Sequence, residues 1–246
     1  MSKKIRVGAV SYLNTKPLLF GLQQHAVYES IKLIEDYPSN LSKALQDNTI
    51  YIGLVPVAVI PGLPDPNIIS DYCIGATGPV ASVCIFSQVP MESITSVYLD
   101  YQSKTSVNLA RILLKEYWKK DVLLIEAPSN FMDLIEGTTA AVIIGDRALE
   151  KYNSYPFRYD LAEAWINYTG KPFVFATWVS NKQLDAGFIA SFNEANGLGL
   201  KNIDTVVDML SRTNNSYDLH TYFTKNISYT LDAAKKEGMA HFLSLL

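Results

Sequence analysis

Metal-binding and redox chemistry have little to work with in this chain. Its 246 residues include two cysteines and three histidines. His25, His220 and His241 are scattered without ligand spacing, and neither HExxH nor CxxC occurs, so no metal site is expected. Cys73 and Cys84 sit in apolar surroundings, which fits reduced core thiols better than a disulfide framework. No GxSxG elbow and no glycine-rich phosphate loop is present, which removes two common catalytic and nucleotide-binding signatures. Basic blocks are missing too. The 21 Lys and Arg against 24 Asp and Glu leave a formal charge of −3, with lysine pairs dispersed, so nucleic acid is not an expected partner. No apolar run approaches the ~18 residues of a membrane span. The opening "MSKKIRVGAV" lacks the long apolar segment and cleavage site of a secretory leader. The expectation is a cytoplasmic protein that does not engage the membrane.

What is present is a regular alternation. "IRVGAV", "SIKLIED", "YIGLVPVAVI", "VASVCIFS", "SVYLD", "DVLLIEA", "AAVIIGD" and "PFVFATWVS" read as strands. Between them "SNLSKALQDN", "TSVNLARILLKEYWKK" and "NFMDLIEG" read as helices, the second with Val107, Ala110, Leu113, Leu114 and Trp118 on one face. This pattern predicts an α/β fold with mostly parallel sheets, turning mainly helical after residue 180. The length allows one large domain or two lobes.

An internal echo favours two lobes. "PSNLSKALQDNTIYIGLV" from residue 38 aligns with "PSNFMDLIEGTTAAVIIG" from residue 128, an offset of 90 that also places Val7 on Val97 and Thr15 on Thr105. At that offset "SYLNTKP" (Ser11, Tyr12, Asn14, Thr15) faces "YQSKTSV" (Ser103, Thr105, Ser106), each where a strand's carboxyl end meets a helix. In open α/β sheets ligands bind at that edge. Helix N-termini add unpaired N–H donors and a dipole worth roughly 0.3–1 kcal/mol toward an anion. Two such sites across a cleft suit a small dianion. Thr105 and Ser106 can equally serve only as helix caps, and Asp146 in "GDRAL" reads first as an N-cap, with chemistry as its second reading. Trp165, Tyr168 and Trp178 are expected in the core, with a wall for a flat ring as the sharper alternative.

Five stretches in order, "VSYLNTKPL", "GPVASV", "YQSKTSVNLARILL", "IIGDRAL" and "DLAEAWINYTGKPFVFATW", resemble the chorismate dehydratase family of the futalosine route to menaquinone. The resemblance runs over residues 5–180. It implies a two-lobed periplasmic-binding-protein-like fold (type II) with a central cleft. It also implies a hydro-lyase without metal or organic cofactor, which removes water from chorismate to give 3-[(1-carboxyvinyl)oxy]benzoate. The family's catalytic Asn falls on Asn14 and its polar cleft serine on Ser82; Thr105 and Ser106 fall on the second lobe's anion site. Chain order fits lobe one as 1–86 plus 180–246 and lobe two as 87–179, with two crossings making a hinge.

The elimination needs a base, and "SYLNTKP", "GPVAS" and "SKTS" hold no Asp, Glu or His. Asn14 has no useful basicity, and Lys16 is protonated unless buried. The substrate's own enolpyruvyl carboxylate is therefore one candidate; Asp146 and Glu35 are the protein's alternatives. A non-catalytic two-lobed solute-binding or ligand-sensing protein for a small carboxylate is the competing reading, since fold does not separate the two. The absence of an export signal and of a DNA-binding segment before the first strand weighs against it.

Overall fold

Strand β1 (Ile5–Val10) is buried over its last four residues, and a run buried on both faces belongs in the middle of a sheet. In the computed structural model, which describes residues 4–212 and 217–246, β1 pairs in parallel with β2 (Ile31–Asp36) on one side and β3 (Ile52–Pro56) on the other. The leader reading rests in part on residues 1–3, which lie outside the described residues. β10 (Phe173–Ser180) joins β3 antiparallel, and β4 (Asn67–Ala76) and β11 (Ser228–Thr230) follow, giving the order β11-β4-β10-β3-β1-β2. The second sheet contains β5 (Val83–Ser87), β6 (Ser96–Leu99), β7 (Leu123–Glu126), β8 (Thr139–Ile144) and β9 (Phe157–Asp160), in the order β7-β6-β8-β5-β9.

Without β11 the two orders are the same, and so are the directions: two parallel pairings, then antiparallel ones. The sheets are therefore mixed, not mostly parallel as the alternation suggested. The reason is topological: in each sheet the strand next to the parallel trio, β10 or β5, arrives from the other sheet and enters from the opposite end. Elements 90 residues apart hold equivalent places, as with β5 from Val83 and β10 from Phe173.

Helices α1 (Lys16–Gln24) and α2 (Pro38–Gln46) flank the first sheet's parallel strands. In the second half lie α3 (Lys104–Ile112), α4 (Asp146–Glu150) and α5 (Leu161–Thr169). The chain then returns through α6 (Ala186–Lys201), α7 (Ile203–Leu210), α8 (Leu219–Thr221) and α9 (Ala233–Ser244). The returning chain is locked on at α1 and α6, whose backbones touch: a Cβ on Gly21 would lie 2.0 Å from the Ala195 carbonyl oxygen, and one on Gly199 1.8 Å from that of Pro17. Only glycine permits this approach.

Three local expectations change. The run "YIGLVPVAVI" is a strand only to Pro56; Val57–Gly62 coil into a 3-10 helix, as a continuous apolar run does not by itself distinguish the two. "NFMDLIEG" gives one 3-10 turn, Phe131–Leu134, ahead of Gly137 at φ +55°. β4, β9 and β11 were not expected. Both cysteines are free and buried. Among the described residues no helix is long and apolar enough to cross a membrane, and no group of three or more His, Cys, Asp or Glu could hold a metal ion.

Candidate active site

The carboxyl ends of β1, β3, β6 and β8 meet between the sheets, around a narrow cavity of about 50 Å³. Its wall is mostly apolar, with Val10, Ile74, Val80, Ile144 and Phe175 among its members. The polar side chains on it are those of Tyr12, Asn14, Ser82, Ser103 and Ser106; among the described residues no carboxylate, imidazole or amine lines it. The N-terminal residues of α2 (Pro38) and α3 (Ser103, Ser106) also reach it. Two helix dipoles therefore favour negative charge where no cationic side chain is present.

After β1 the chain makes a single 3-10 turn, Leu13–Thr15. Thr15 N donates to the Tyr12 carbonyl at 3.1 Å, and Thr15 Oγ1 reaches the carbonyls of Val10 and Tyr12, each at 2.7 Å. That turn uses up Thr15 and leaves Asn14 on the wall. The Asn14 backbone carbonyl accepts from Tyr229 Oη at 2.9 Å, whereas its side-chain Oδ1 is sealed from solvent and has no partner. A buried polar atom without a hydrogen bond costs about 1–3 kcal/mol, so it is an atom waiting for one.

Ser82 is presented by a strained turn. Ser82 N donates to Val80 O at 2.8 Å, closing a three-residue turn around Ala81, whose φ is +64°; such turns are rare and cost on the order of 1–3 kcal/mol. Two contacts hold it. Asp160 Oδ2 accepts from Ala81 N at 2.7 Å, while Oδ1 caps α5 by accepting from Ala162 N and Glu163 N. Gly145 N donates to Ser82 O at 2.8 Å. Burial pushes the Asp160 carboxyl up, and the N–H groups around it pull it back. Gly145, at φ +65°, has to be glycine, since a Cβ would press the Tyr12 ring at 3.2 Å. Ser82 Oγ, like Asn14 Oδ1, is buried without a partner.

The second loop is organised differently. Ser103 Oγ caps α3 by accepting from Ser106 N at 3.3 Å, and Ser106 Oγ donates to Ser103 Oγ at 3.2 Å. Fully buried Asp100 braces the loop. It accepts from Gln102 N at 3.1 Å and from Arg147 Nη2 at 2.6 Å. Burial raises the Asp100 carboxyl, and the Arg147 charge opposes that.

Among the described residues, hydrogen bonds beside the cavity cross between the halves. Tyr12 Oη donates to Gln102 Oε1 at 2.6 Å, a pair 90 residues apart; Leu13 N donates to Asp146 Oδ1 at 3.0 Å; and Ala58 N donates to Thr105 Oγ1 at 3.0 Å. The cleft is closed in this structure.

Of the residues expected at the site, Tyr12, Asn14, Ser82, Ser103 and Ser106 come together on one cavity. Ser11 is exposed and off the wall; Thr15 and Thr105 hold the turn and the cross-cleft bond. Asp146 is the first residue of α4 and not its N-cap, which is Gly145; its carboxylate instead receives Leu13 N, and burial raises its pKa. Glu35 pairs with Lys16 at 2.7 Å, away from the cavity. Trp165 and Trp178 are fully buried in the core, Trp178 Nε1 donating to Asn196 Oδ1 at 3.0 Å, and Tyr168 is exposed. Sequence reasoning missed Gln102 and Asp160, although each lies inside a quoted motif; Asp160 reads there as a helix cap, and its second contact, to Ala81 N, lies far back along the chain.

Residues 5–246 match the family described as menaquinone biosynthesis. A chorismate dehydratase of Thermus thermophilus is 24% identical over 261 residues, covering 98% of this chain and 94% of that protein. One from Campylobacter jejuni is 29% identical over 170 residues, 69% of this chain and 64% of that one. Protein AF1704 from Archaeoglobus fulgidus superposes with a TM-score of 0.78 at 12% identity, over 99% of this chain and 97% of its own. The periplasmic aliphatic sulphonate binding protein SsuA from Escherichia coli gives 0.65 at 14%, over 100% and 92%. At such identities the structural likeness concerns the fold alone, and that fold is the two-lobed periplasmic-binding-protein type.

Proposed function

Since the chain belongs to the menaquinone biosynthesis family, we propose that it is a hydro-lyase that dehydrates chorismate to 3-[(1-carboxyvinyl)oxy]benzoate in the cytoplasm. The observation that carries this reading is the pair of buried polar atoms without an ordinary hydrogen bond, Asn14 Oδ1 and Ser82 Oγ, beside an apolar cavity on whose wall the described residues place no carboxylate, imidazole or amine. Chorismate brings what the wall lacks.

The ring hydrogen beside the enolpyruvyl ether is vinylogous to the ring carboxylate, so its removal leaves charge delocalised into that carboxylate. The C–H electron pair enters the ring. The neighbouring C–O bond then breaks and hydroxide leaves, taking up the proton to depart as water from a ring that is now aromatic. The enolpyruvyl carboxylate of the substrate takes the ring proton, an intramolecular transfer that gains a large effective molarity once the side chain is held folded. Asn14 and Ser82 orient the ring and its leaving hydroxyl. Tyr12, Ser103 and Ser106 contact the carboxylates together with the N-termini of α2 and α3, and Thr15 and Thr105 hold the two loops that carry those contacts. A fixed donor at such a site is commonly worth ~10²–10³ in rate.

The test is to incubate the purified protein with chorismate and follow the ultraviolet spectrum for a new aromatic product, identified by mass. Loss of 18 mass units with aromatic absorption is the expected result. Stabilisation of the protein by chorismate with no change in the ligand would instead identify a binding protein.

A further inference from the structure

We propose that Tyr222 is a positioning residue for this reaction: its phenol O–H is donated to Asn14 Oδ1 or to Ser82 Oγ and so fixes the donor that this side chain presents to the ligand. The inference rests on the functional reading above and concerns a residue outside every motif that suggested it.

Tyr222 is completely buried and its hydroxyl has no hydrogen-bond partner. A tyrosine buried only for packing ordinarily finds a partner for that group, and here the unsatisfied neighbours are the two side chains on the cavity wall. The Ser82 hydroxyl and the Asn14 amide lie close enough to draw the Tyr222 pKa down from the high position to which burial pushes it. The segment that carries Tyr222 is tied to both turns, Asn226 Nδ2 donating to Pro79 O and Tyr229 Oη to Asn14 O, each at 2.9 Å, and Tyr222 Oη, Ser82 Oγ and Asn14 Oδ1 are each buried without a hydrogen bond of ordinary geometry. The phenol stays protonated, so it is a donor.

Counting donors and acceptors gives the consequence. If Tyr222 donates to Asn14 Oδ1, the amide oxygen is held away from the ligand and the NH₂ group remains for the cavity. If it donates to Ser82 Oγ, the serine's own hydrogen is turned toward the cavity. Either arrangement sets a donor where charge develops, and the first also disfavours the flipped amide, whose oxygen would repel that charge. The phenol is itself held in place. Its ring packs against Tyr217 at 6.1 Å and Phe223 at 5.6 Å. It opens a π-turn, Tyr222–Asn226, in which Asn226 Nδ2 donates to Pro79 O at 2.9 Å, immediately before the turn that carries Ser82.

Tyr222→Phe tests this, because it deletes one oxygen and keeps the ring. The expected result is a fall in kcat on the order of 10²-fold with KM changed little. The melting temperature should hold or rise, since an unsatisfied buried hydroxyl has been removed. A structural role would move stability down, and activity only with it. In a Ser82→Ala background the same substitution should cost clearly less than it does alone, because the two act as a unit. Wild-type protein that turns chorismate over while Tyr222→Phe keeps its kcat, or loses activity only through KM or in step with a lowered melting temperature, overturns the inference alone. Wild-type protein that neither binds nor dehydrates chorismate overturns the functional reading, and this inference with it.

Discussion

The loops after β1 and β6 occupy the same place in sheets of the same order, yet they treat their polar groups in opposite ways. In the second, Ser103 and Ser106 satisfy each other, and Asp100 gathers Gln102 and Arg147. In the first, the turn is closed by Thr15 alone, and Asn14 Oδ1 is left without a hydrogen bond of ordinary geometry. A near-symmetric scaffold thus carries an asymmetric site: one half is finished without ligand, the other is not. An unfinished half gains hydrogen bonds when a ligand arrives, whereas the finished half offers helix dipoles and shape at no cost in reorganisation.

The sharpest way to break that comparison is to remove one side chain from each loop. Asn14→Ala should lower kcat by ~10²–10³ with little loss of stability, because its side-chain oxygen makes no hydrogen bond of ordinary geometry in the folded protein. Ser103→Ala should do the reverse. It removes the cap of α3, worth about 1 kcal/mol, lowers the melting temperature by roughly 2–4 °C and weakens substrate binding more than turnover. Steady-state kinetics beside thermal melts separate the two; equal effects on kcat would erase the asymmetry.

Much of this was legible in the sequence, and the boundary of legibility is physical. "SYLNTKP" holds more polarity than a cap needs, and the 90-residue echo survives because both halves repeat one strand and helix rhythm. β4, "NIISDYCIGA", was not legible: Asp71 and Gly75 interrupt its apolar run, and it is defined by pairing with β10, about a hundred residues on. Asp160 is in the same position. It looks like an ordinary N-cap, and it is one, but its second oxygen reaches back 79 residues to Ala81, a contact that no local pattern encodes.

That second oxygen yields the next prediction. Asn at position 160 has one acceptor oxygen and can serve the α5 cap or the Ala81 turn, but not both. Asp160→Asn should therefore lower kcat by about tenfold as Ser82 shifts, together with a fall of a few degrees in melting temperature. Activity lost without any change in stability would argue against strain in the Ser82 turn as the cause.

A smaller effect is expected at the seam between the halves. Gln102→Ala removes the acceptor of Tyr12 Oη, a neutral bond of roughly 0.5–1.5 kcal/mol, so the closed form weakens and KM should rise roughly 2- to 10-fold with kcat nearly constant. Small-angle scattering of the variant without ligand should show a larger radius of gyration than wild type. An unchanged radius and KM would mean that the contact does not hold the lobes together.

The smallest effect falls on Asp146, a carboxylate of the second half that reaches across to Leu13 N, and it asks whether that half takes any part in proton transfer. Burial raises the Asp146 pKa, against the partial opposition of Leu13 N. The folded protein therefore holds this proton more tightly than the unfolded chain, whose carboxyl titrates near ~3.9. Folding takes up a proton in the interval above that value, so the group's contribution to stability is fully present below about pH 3.9 and is lost as pH rises through the raised pKa. Asp146→Asn removes the titration and, with its amide oxygen toward Leu13 N, keeps the cross-cleft bond. Its melting temperature should match that of wild type at the acid end and lie above it at neutral pH. Turnover should stay within about threefold of wild type, because the proton goes to the substrate's carboxylate and not to this one. A variant that binds chorismate and does not dehydrate it would make Asp146 the base, and the second half a chemical partner instead of a finished wall.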